Sequence, residues 1–440
     1  GVDCSDHEVN IKILLDGIVS GGDLTGKQRD LLLQEMTDEV AQLVLRDNYL
    51  QNLAISVEEA QGTALVDFQQ RMMRELERAG KLDRALEYLP DDETLAERVA
   101  EERGLTRPEI AVLLAYSKMT LYQELLESSL PDDPLLVEDL VRYFPHPLRE
   151  RYRQAIAGHR LRREIIATST TNSMINRVGP TFVTRLVEMT GRAPRDIARA
   201  YIVARDVFHL RELWARIEEL DDRLPATSQM EMILDVGRLI ERTTLWFLRH
   251  TEAALDEISK TVQRYEPGVV TLADELPAIL PREHRRSFEE RAKVLQRAGV
   301  PAELARRIAS LPFLVSACDI VRIADDREVR EVARVYFLIG ARLGLGWLRD
   351  AARRMTAKNH WQKDALGAIV DDLYAHQSIL ATRVLEAGGD QAKPVERWMD
   401  SHRHGVQRLR GLLEELRAAP TIEVSMLAVA DHQLRSLTLS

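Results

Sequence analysis

Only two cysteines, Cys4 and Cys318, occur in 440 residues. They lie far apart in sequence, which provides no disulfide framework and suits a reducing compartment. Glycine and proline are scarce, at 22 and 16 residues, and aromatics make up 5%. That shortage of turn formers and β-prone rings favours helices over sheets. No apolar run approaches the ~20 residues needed to span a bilayer, so no membrane partner is expected. No charged stretch followed by an apolar one marks a signal peptide. The formal net charge is −10, but Lys and Arg are interspersed with Asp and Glu, so no face forms a nucleic-acid footprint. Signatures of self-contained chemistry are missing too: there is no GxSxG, Walker A, CxxC or HExxH. His402 and His404 are spaced i,i+2 and point to different helix faces, so no metal site is expected. Gly344-Leu345-Gly346 lacks the GxGxxG spacing and a preceding strand, and reads as close helix packing instead of a dinucleotide turn.

What is abundant is Leu, Ala, Arg and Glu at helical spacing. In LTRPEIAVLLAYSKMTLYQELL, Thr106 is positioned to cap a helix, Glu109 stands three residues later, and Pro108 falls in the first turn, where its missing N–H costs nothing. Ile110, Leu113, Leu114, Leu121 and Leu125 then share an apolar face. The following LPDDP breaks the pattern. A second long helix is expected from Pro194 through RAPRDIARAYIVARDVFHLRELWARIEEL, after Gly191 ends its predecessor. Its stripe of Ile197, Tyr201, Ala204 and Phe208 is broad enough to belong inside a bundle. RYEPGVVTLADELPAILP, where Pro and Gly interrupt a helical pattern, is the best boundary candidate. Strand candidates are limited to Gly1-Val2 and Gly268 to Leu272. The expected fold class is all-α, a multi-helix bundle, with no repeat at solenoid periods.

One stretch places polar residues along a helical pattern: Thr168, Ser169, Asn172, Asn176 and Arg177 in IIATSTTNSMINRVGP. A polar seam inside a bundle needs partners, because an unpaired buried polar group costs about 1–3 kcal/mol. The expectation is that Asn172 and Asn176 are buried and hydrogen-bonded, with at least one partner on another helix.

The opening GVDCSDHEVNIKILL reads like the middle of a motif, with Gly1-Val2 ending a strand and Ser5-Asp6-His7-Glu8 starting a helix, so the chain is expected to continue something larger. GVDCSDHE is similar to the G-V-x-x-S-x-x-E segment that closes the nucleotide-binding domain of glutamate dehydrogenases. Together with MTDEVAQLVLRDNYLQNLAIS, LTRPEIAVLLAYSKMTLY, HRLRREIIAT and the NRVGPTF run, it resembles the large bacterial NAD-specific glutamate dehydrogenases, densely over residues 1–250 and more thinly beyond. The resemblance implies a C-terminal part of such an enzyme. Residues 1–60 would be the terminal helices of a truncated α/β catalytic domain, 61–265 a helical domain and 266–440 a C-terminal helical domain. It implies oxidative deamination of L-glutamate with NAD in the full-length enzyme, an upstream catalytic domain of the same polypeptide as partner, a homo-oligomer and a cytoplasmic location.

The family's phosphate-binding turn and proton-transfer residues are not found in this chain. No catalytic, cofactor-binding or metal residue is assigned, and Lys12 and Lys27 carry no catalytic role. The substrate-binding residues carried over are Ser5, matching the serine that contacts the distal carboxylate of glutamate, and Val2 beside the same pocket. Asp3-Cys4 departs from the less polar residues of smaller members. Ser5-x-x-Glu8 also fits a capping box, and a hydroxyl that accepts from the backbone still has its O–H to donate. The alternative function is a non-enzymatic helical interaction or regulatory module.

Overall fold

Helical spacing in the sequence becomes helix throughout the computed structural model, which describes residues 2–251, 257–357, 360–388 and 393–439. No strand occurs among the described residues. Two compact units are formed, the first from residues up to Arg205 with Ile240–Val262, the second from Asp206–Leu239 with the residues from Gln263 onward. The helices of the first stretch are α1 (Val2–Ser20), α2 (Gly26–Gln61), α3 (Val66–Arg78), α4 (Asp92–Ala100), α5 (Arg107–Leu126), α6 (Val137–Tyr143), α7 (His146–Arg151), α8 (Arg153–Ala157), α9 (Arg162–Val178), α10 (Phe182–Thr190) and α11 (Pro194–Val207). There follow α12 (Leu210–Glu218), α13 (Ala226–His250), α14 (Ile258–Ile279), α15 (Arg282–Arg297), α16 (Ala302–Leu314), α17 (Ala317–Ala324), α18 (Val329–Arg342) and α19 (Leu345–Arg354). The last are α20 (His360–Gly388), α21 (Pro394–Ser401), α22 (Arg403–Ala418) and α23 (Val424–Leu439). This division by contact is distinct from the segments 1–60, 61–265 and 266–440 read from composition and resemblance.

In the first unit α2, α5 and α6 pack on α9, whose Ile165, Ile166, Met174 and Ile175 are buried. Each such side chain contributes about 1.5–3 kcal/mol on leaving water. The start of α5 is fixed as its sequence dictates: Glu109 Oε2 accepts from the Thr106 N–H at 2.7 Å, and Pro108 lies in the first turn. Glu109 also holds Arg98 through both guanidinium nitrogens, which joins α4 to α5. In the second unit α18, α19, α21 and α23 pack on α20. There Gln377 accepts from Arg349 Nη1 at 2.7 Å and donates to the Tyr336 carbonyl at 2.8 Å.

Four local expectations are corrected. Val2 opens α1 and does not end a strand; Gly1 lies outside the described residues. The helix from Pro194 is broken at His209, which takes φ +52° between α11 and α12. Gly268 to Leu272 is neither strand nor boundary loop but lies inside α14, which runs through Pro267 and Pro277. A helix-interior proline costs about 3 kcal/mol. The neighbouring glycine explains why the helix survives: a Cβ on Gly268 would meet Val321 Cγ2 at 2.7 Å, so α17 packs directly on the backbone there. Tyr265, Val269, Leu272 and Leu276 on α14 are buried, which offsets the lost hydrogen bond. LPDDP does end the helical pattern, since α5 stops at Leu126, but the segment forms two short 3-10 turns, Leu130–Asp132 and Pro134–Leu136, where a loop would be expected.

Candidate functional site

The residues singled out for substrate, Val2 and Ser5, lie on the first turns of α1, and their side chains fall outside the described residues. Because α1 begins at Val2, Ser5 does not occupy its N-cap. Glu8, its supposed capping partner, instead pairs with Lys12 one turn on, at 2.5 Å. The capping-box reading is therefore withdrawn.

The next turn of α1 carries a closed polar triangle. Tyr143 on α6 donates from its hydroxyl to Asp6 Oδ2 at 2.8 Å. Asn10 Nδ2 donates to the same hydroxyl at 2.9 Å and to Asp6 Oδ1 at 3.0 Å, so both of its protons are used. His7 stacks on the Tyr143 ring with centroids 4.3 Å apart and places Nε2 3.5 Å from Asp47 Oδ2 on α2. Burial, with the Asp6 carboxylate adding to it, pushes the Tyr143 phenol far above its ordinary range, so it acts as a donor and not as an anion.

His159 completes the anchor. Its Nδ1 accepts from the Leu161 N–H at 3.0 Å, which leaves the proton on Nε2 to be given to the Asn10 carbonyl, 3.1 Å away. Burial lowers its basicity, consistent with a neutral imidazole in that tautomer. Tyr143→Phe removes a donor to a carboxylate and an acceptor for an amide in one step. It should cost about 1.5–3 kcal/mol in urea unfolding. A loss no larger than the few tenths typical of surface changes would show that the triangle holds nothing.

Further along, α2 is tied to later helices by its acids. Glu39 accepts from the His146 N–H through both carboxylate oxygens, at 2.9 and 3.0 Å, at the start of α7. Glu58 is only 3% exposed. Its Oε1 accepts from Gln69 Nε2 at 3.0 Å, and Oε2 lies 2.6 Å from the point a Cβ on Gly179 would occupy. Gly179 has φ +85°, so a side chain there would be strained as well as blocked. Beside it Arg185 grips Glu241 with both terminal nitrogens, at 2.5 and 2.9 Å, and Arg71 binds Glu188 at 2.9 Å. The two guanidinium groups both lie over the Phe68 ring, at 5.4 and 4.6 Å. Desolvation raises Glu58 from 4.5 to about 7, against the lowering effects of Gln69 and Arg185.

The polar seam on α9 is arranged differently from its expectation. Asn176 is buried, but its Oδ1 has no partner; Asn172 is only half-buried, and neither amide makes a side-chain hydrogen bond among the described residues. The tie to another helix is one residue away: Tyr201 on α11 donates to the Ser173 carbonyl at 2.8 Å. Thr170 and Thr171 are buried with unpartnered hydroxyls, so the seam is packed more by shape than by a network.

Against known proteins, residues 102–436 match the family described as "Glutamate dehydrogenase, C-terminal", and residues 1–58 match "Bacterial NAD-glutamate dehydrogenase, catalytic domain". The chain belongs to the glutamate dehydrogenase C-terminal family. NAD-specific glutamate dehydrogenases from Halomonas elongata and Pseudomonas aeruginosa are each 41% identical to it over its whole length, and that from Mycobacterium tuberculosis 35%. The chain spans 27–28% of the length of these relatives.

The family boundaries give the polar contacts a meaning. Asp6, Asn10, Glu39 and Glu58 belong to the catalytic-domain match, whereas Tyr143, His146, His159, Gly179 and Arg185 belong to the C-terminal match. The hydrogen bonds between them therefore join the two family segments. The Gly344 turn does not fit a dinucleotide. Gly344 follows a helix and caps α19 at φ +68°, and a Cβ on it would meet Leu413 Cδ1 at 2.9 Å, so the turn is filled by packing. No group of three or more His, Cys, Asp or Glu among the described residues is placed to hold a metal, and no described helix is long and apolar enough to cross a membrane.

Proposed function

We propose that this chain works as the C-terminal region of an NAD-dependent glutamate dehydrogenase, which oxidatively deaminates L-glutamate to 2-oxoglutarate and ammonia. In this reading Ser5 and Val2 form one edge of the glutamate pocket, and the helical remainder is the scaffold that holds that edge in place. The observation that carries it is the anchoring of α1 by Tyr143 and His159 at Asp6 and Asn10, next to Ser5 and just over a turn beyond it. Support also comes from α2, which leaves Leu31 and Leu45 about two-thirds exposed, at 67% and 66%. An upstream catalytic domain of the same polypeptide would cover such a face. The segments 1–60, 61–265 and 266–440 are retained as functional parts, with a homo-oligomeric, cytoplasmic enzyme as the whole.

The test is Ser5→Ala in the full-length enzyme. Loss of a hydroxyl hydrogen bond to a carboxylate, about 1.5–3 kcal/mol, should raise the glutamate KM about tenfold or more and leave NAD affinity unchanged. Since Ser5 lies inside α1, little stability should be lost. An unchanged glutamate KM would remove Ser5 from the pocket. The 440-residue chain by itself should neither bind NAD in calorimetry nor form NADH from glutamate; saturable binding or turnover would overturn the assignment of those functions to the upstream domain.

A further inference from the structure

A pocket of about 340 Å³ opens in the first unit between α3, α5, α9 and α10. That is within the size range of small-molecule sites. Its walls are apolar: Leu76, Leu121 and Ile175 are buried at its edge, and Val183 lines it from α10. Three charges reach it: Glu75 from α3, Glu124 from α5, and Lys81. Unlike most acids of this unit, neither carboxylate makes an ion pair or side-chain hydrogen bond among the described residues.

The electrostatics show what is missing. Burial is the first cause that raises both Glu75 and Glu124; Glu188 adds to the first, which Arg78 and Arg71 offset in part, and Glu127 adds to the second, which Lys81 offsets in part. Glu124 is half-buried while Glu75 and Lys81 are exposed, and two carboxylates against one lysine leave the lining negative, with Arg71 and Arg78, outside the lining, offsetting Glu75 in part. A ligand that brings a cation into it relieves both, while its hydrocarbon part covers the apolar wall. An anion would meet two like charges and one opposite one. The hydroxyls of Thr120 and Thr184 supply acceptors for the remaining ammonium protons.

We propose that this pocket binds a primary amine carried on an apolar body, an alkyl or aralkyl monoamine, with Glu75 and Glu124 receiving the ammonium and Leu76, Leu121 and Val183 enclosing the hydrocarbon. The proposal is independent of the glutamate dehydrogenase reading.

The probes are phenethylamine, phenylalanine and 3-phenylpropionate, which share one ring and differ in charge, titrated into the 440-residue chain by calorimetry. Phenethylamine should bind saturably, and 3-phenylpropionate about tenfold or more weakly. Affinity for the amine should grow as pH rises through the ionisation of the two carboxylates. Glu124→Gln and Glu75→Gln should each weaken phenethylamine about fivefold or more while the unliganded melting temperature holds or rises, because a desolvated charge is removed. Thr184→Trp should block binding by filling the space, and the two glutamine variants decide the question if it fails to fold. No saturable binding of phenethylamine, equal binding of 3-phenylpropionate or phenylalanine, or unchanged affinity in both glutamine variants would overturn the proposal.

Discussion

At pH 8 the Glu58→Gln variant is expected to be more stable than the parent chain, and at pH 5 to hold no such advantage. Glu58 is raised from 4.5 to about 7 by desolvation, so between those pH values the folded state binds a proton that the unfolded state has lost. Stability contributed by this group is therefore present below pH 4.5, falls as pH rises towards 7, and is fully lost above it. A shift of that size corresponds to about 3 kcal/mol between the two limits. Glutamine carries no charge at any pH, is nearly the same shape, and retains an oxygen for Gln69 Nε2 at the site where Glu58 accepts its 3.0 Å hydrogen bond. The groups that face Glu58 are Gln69 on α3, Arg185 on α10 and Glu241 on α13, with the Gly179 backbone closing the last side. Arg185 spends both terminal nitrogens on Glu241, which is why it does not restore Glu58 to an ordinary acidity. Urea unfolding of both chains from pH 5 to pH 8 isolates the effect as a difference, since every other titrating group is shared. Parallel stability profiles would mean that Glu58 is already ionised without penalty.

Very little of Glu58 is visible in its sequence. It stands in VEEAQ, which reads as the hydrated end of a helix, and only the later arrival of Gln69 and of the Gly179 turn takes it out of water. Features written within one or two turns were legible: the Thr106 and Glu109 start of α5, its five buried apolar positions, and Gly191 in the left-handed region after α10. Features decided by a distant partner were not. Pro267 and Gly268 look like a break in the helix until Val321 is known to press on the glycine, although the change of compact unit does fall beside them, between Val262 and Gln263. Tyr143, His159 and Asn10 carry no local signature, although Asp6 and Asn10, four residues apart beside the buried Ile11 and Leu14, were a readable hint of a polar contact on a core-facing turn. On α9 the polar residues were noticed, but the one that reaches α11 does so through the Ser173 backbone, which side-chain chemistry does not encode.

The largest single loss of stability is expected from Asp139→Ala. Arg205 on α11 is 2% exposed, and its Nη2 lies 3.3 Å from Asp139 Oδ2, whose own side chain is 8% exposed. Arg142, a second cation at 3.2 Å from this carboxylate, is more than half in solvent and loses little when Asp139 goes. Arg205 is buried, so removal of Asp139 takes a carboxylate partner from a guanidinium in the core, and breaking a buried pair typically costs about 3–5 kcal/mol. The cost belongs to the stranded charge and not to the pair, so removing both partners should be milder than the single change suggests. Asp139→Leu combined with Arg205→Met is predicted to be less destabilising than the sum of the two single variants by about 1–3 kcal/mol. Because the chain has two compact units, a global midpoint mixes them. Hydrogen exchange at the amides of α6 and α11 reads the first unit directly. Asp139→Ala should accelerate exchange there by about two to three powers of ten, and the double variant should recover much of that protection. If the single variant exchanges like the parent chain, Arg205 is solvated or held by its other contacts, and the ion pair does not secure α6 to α11.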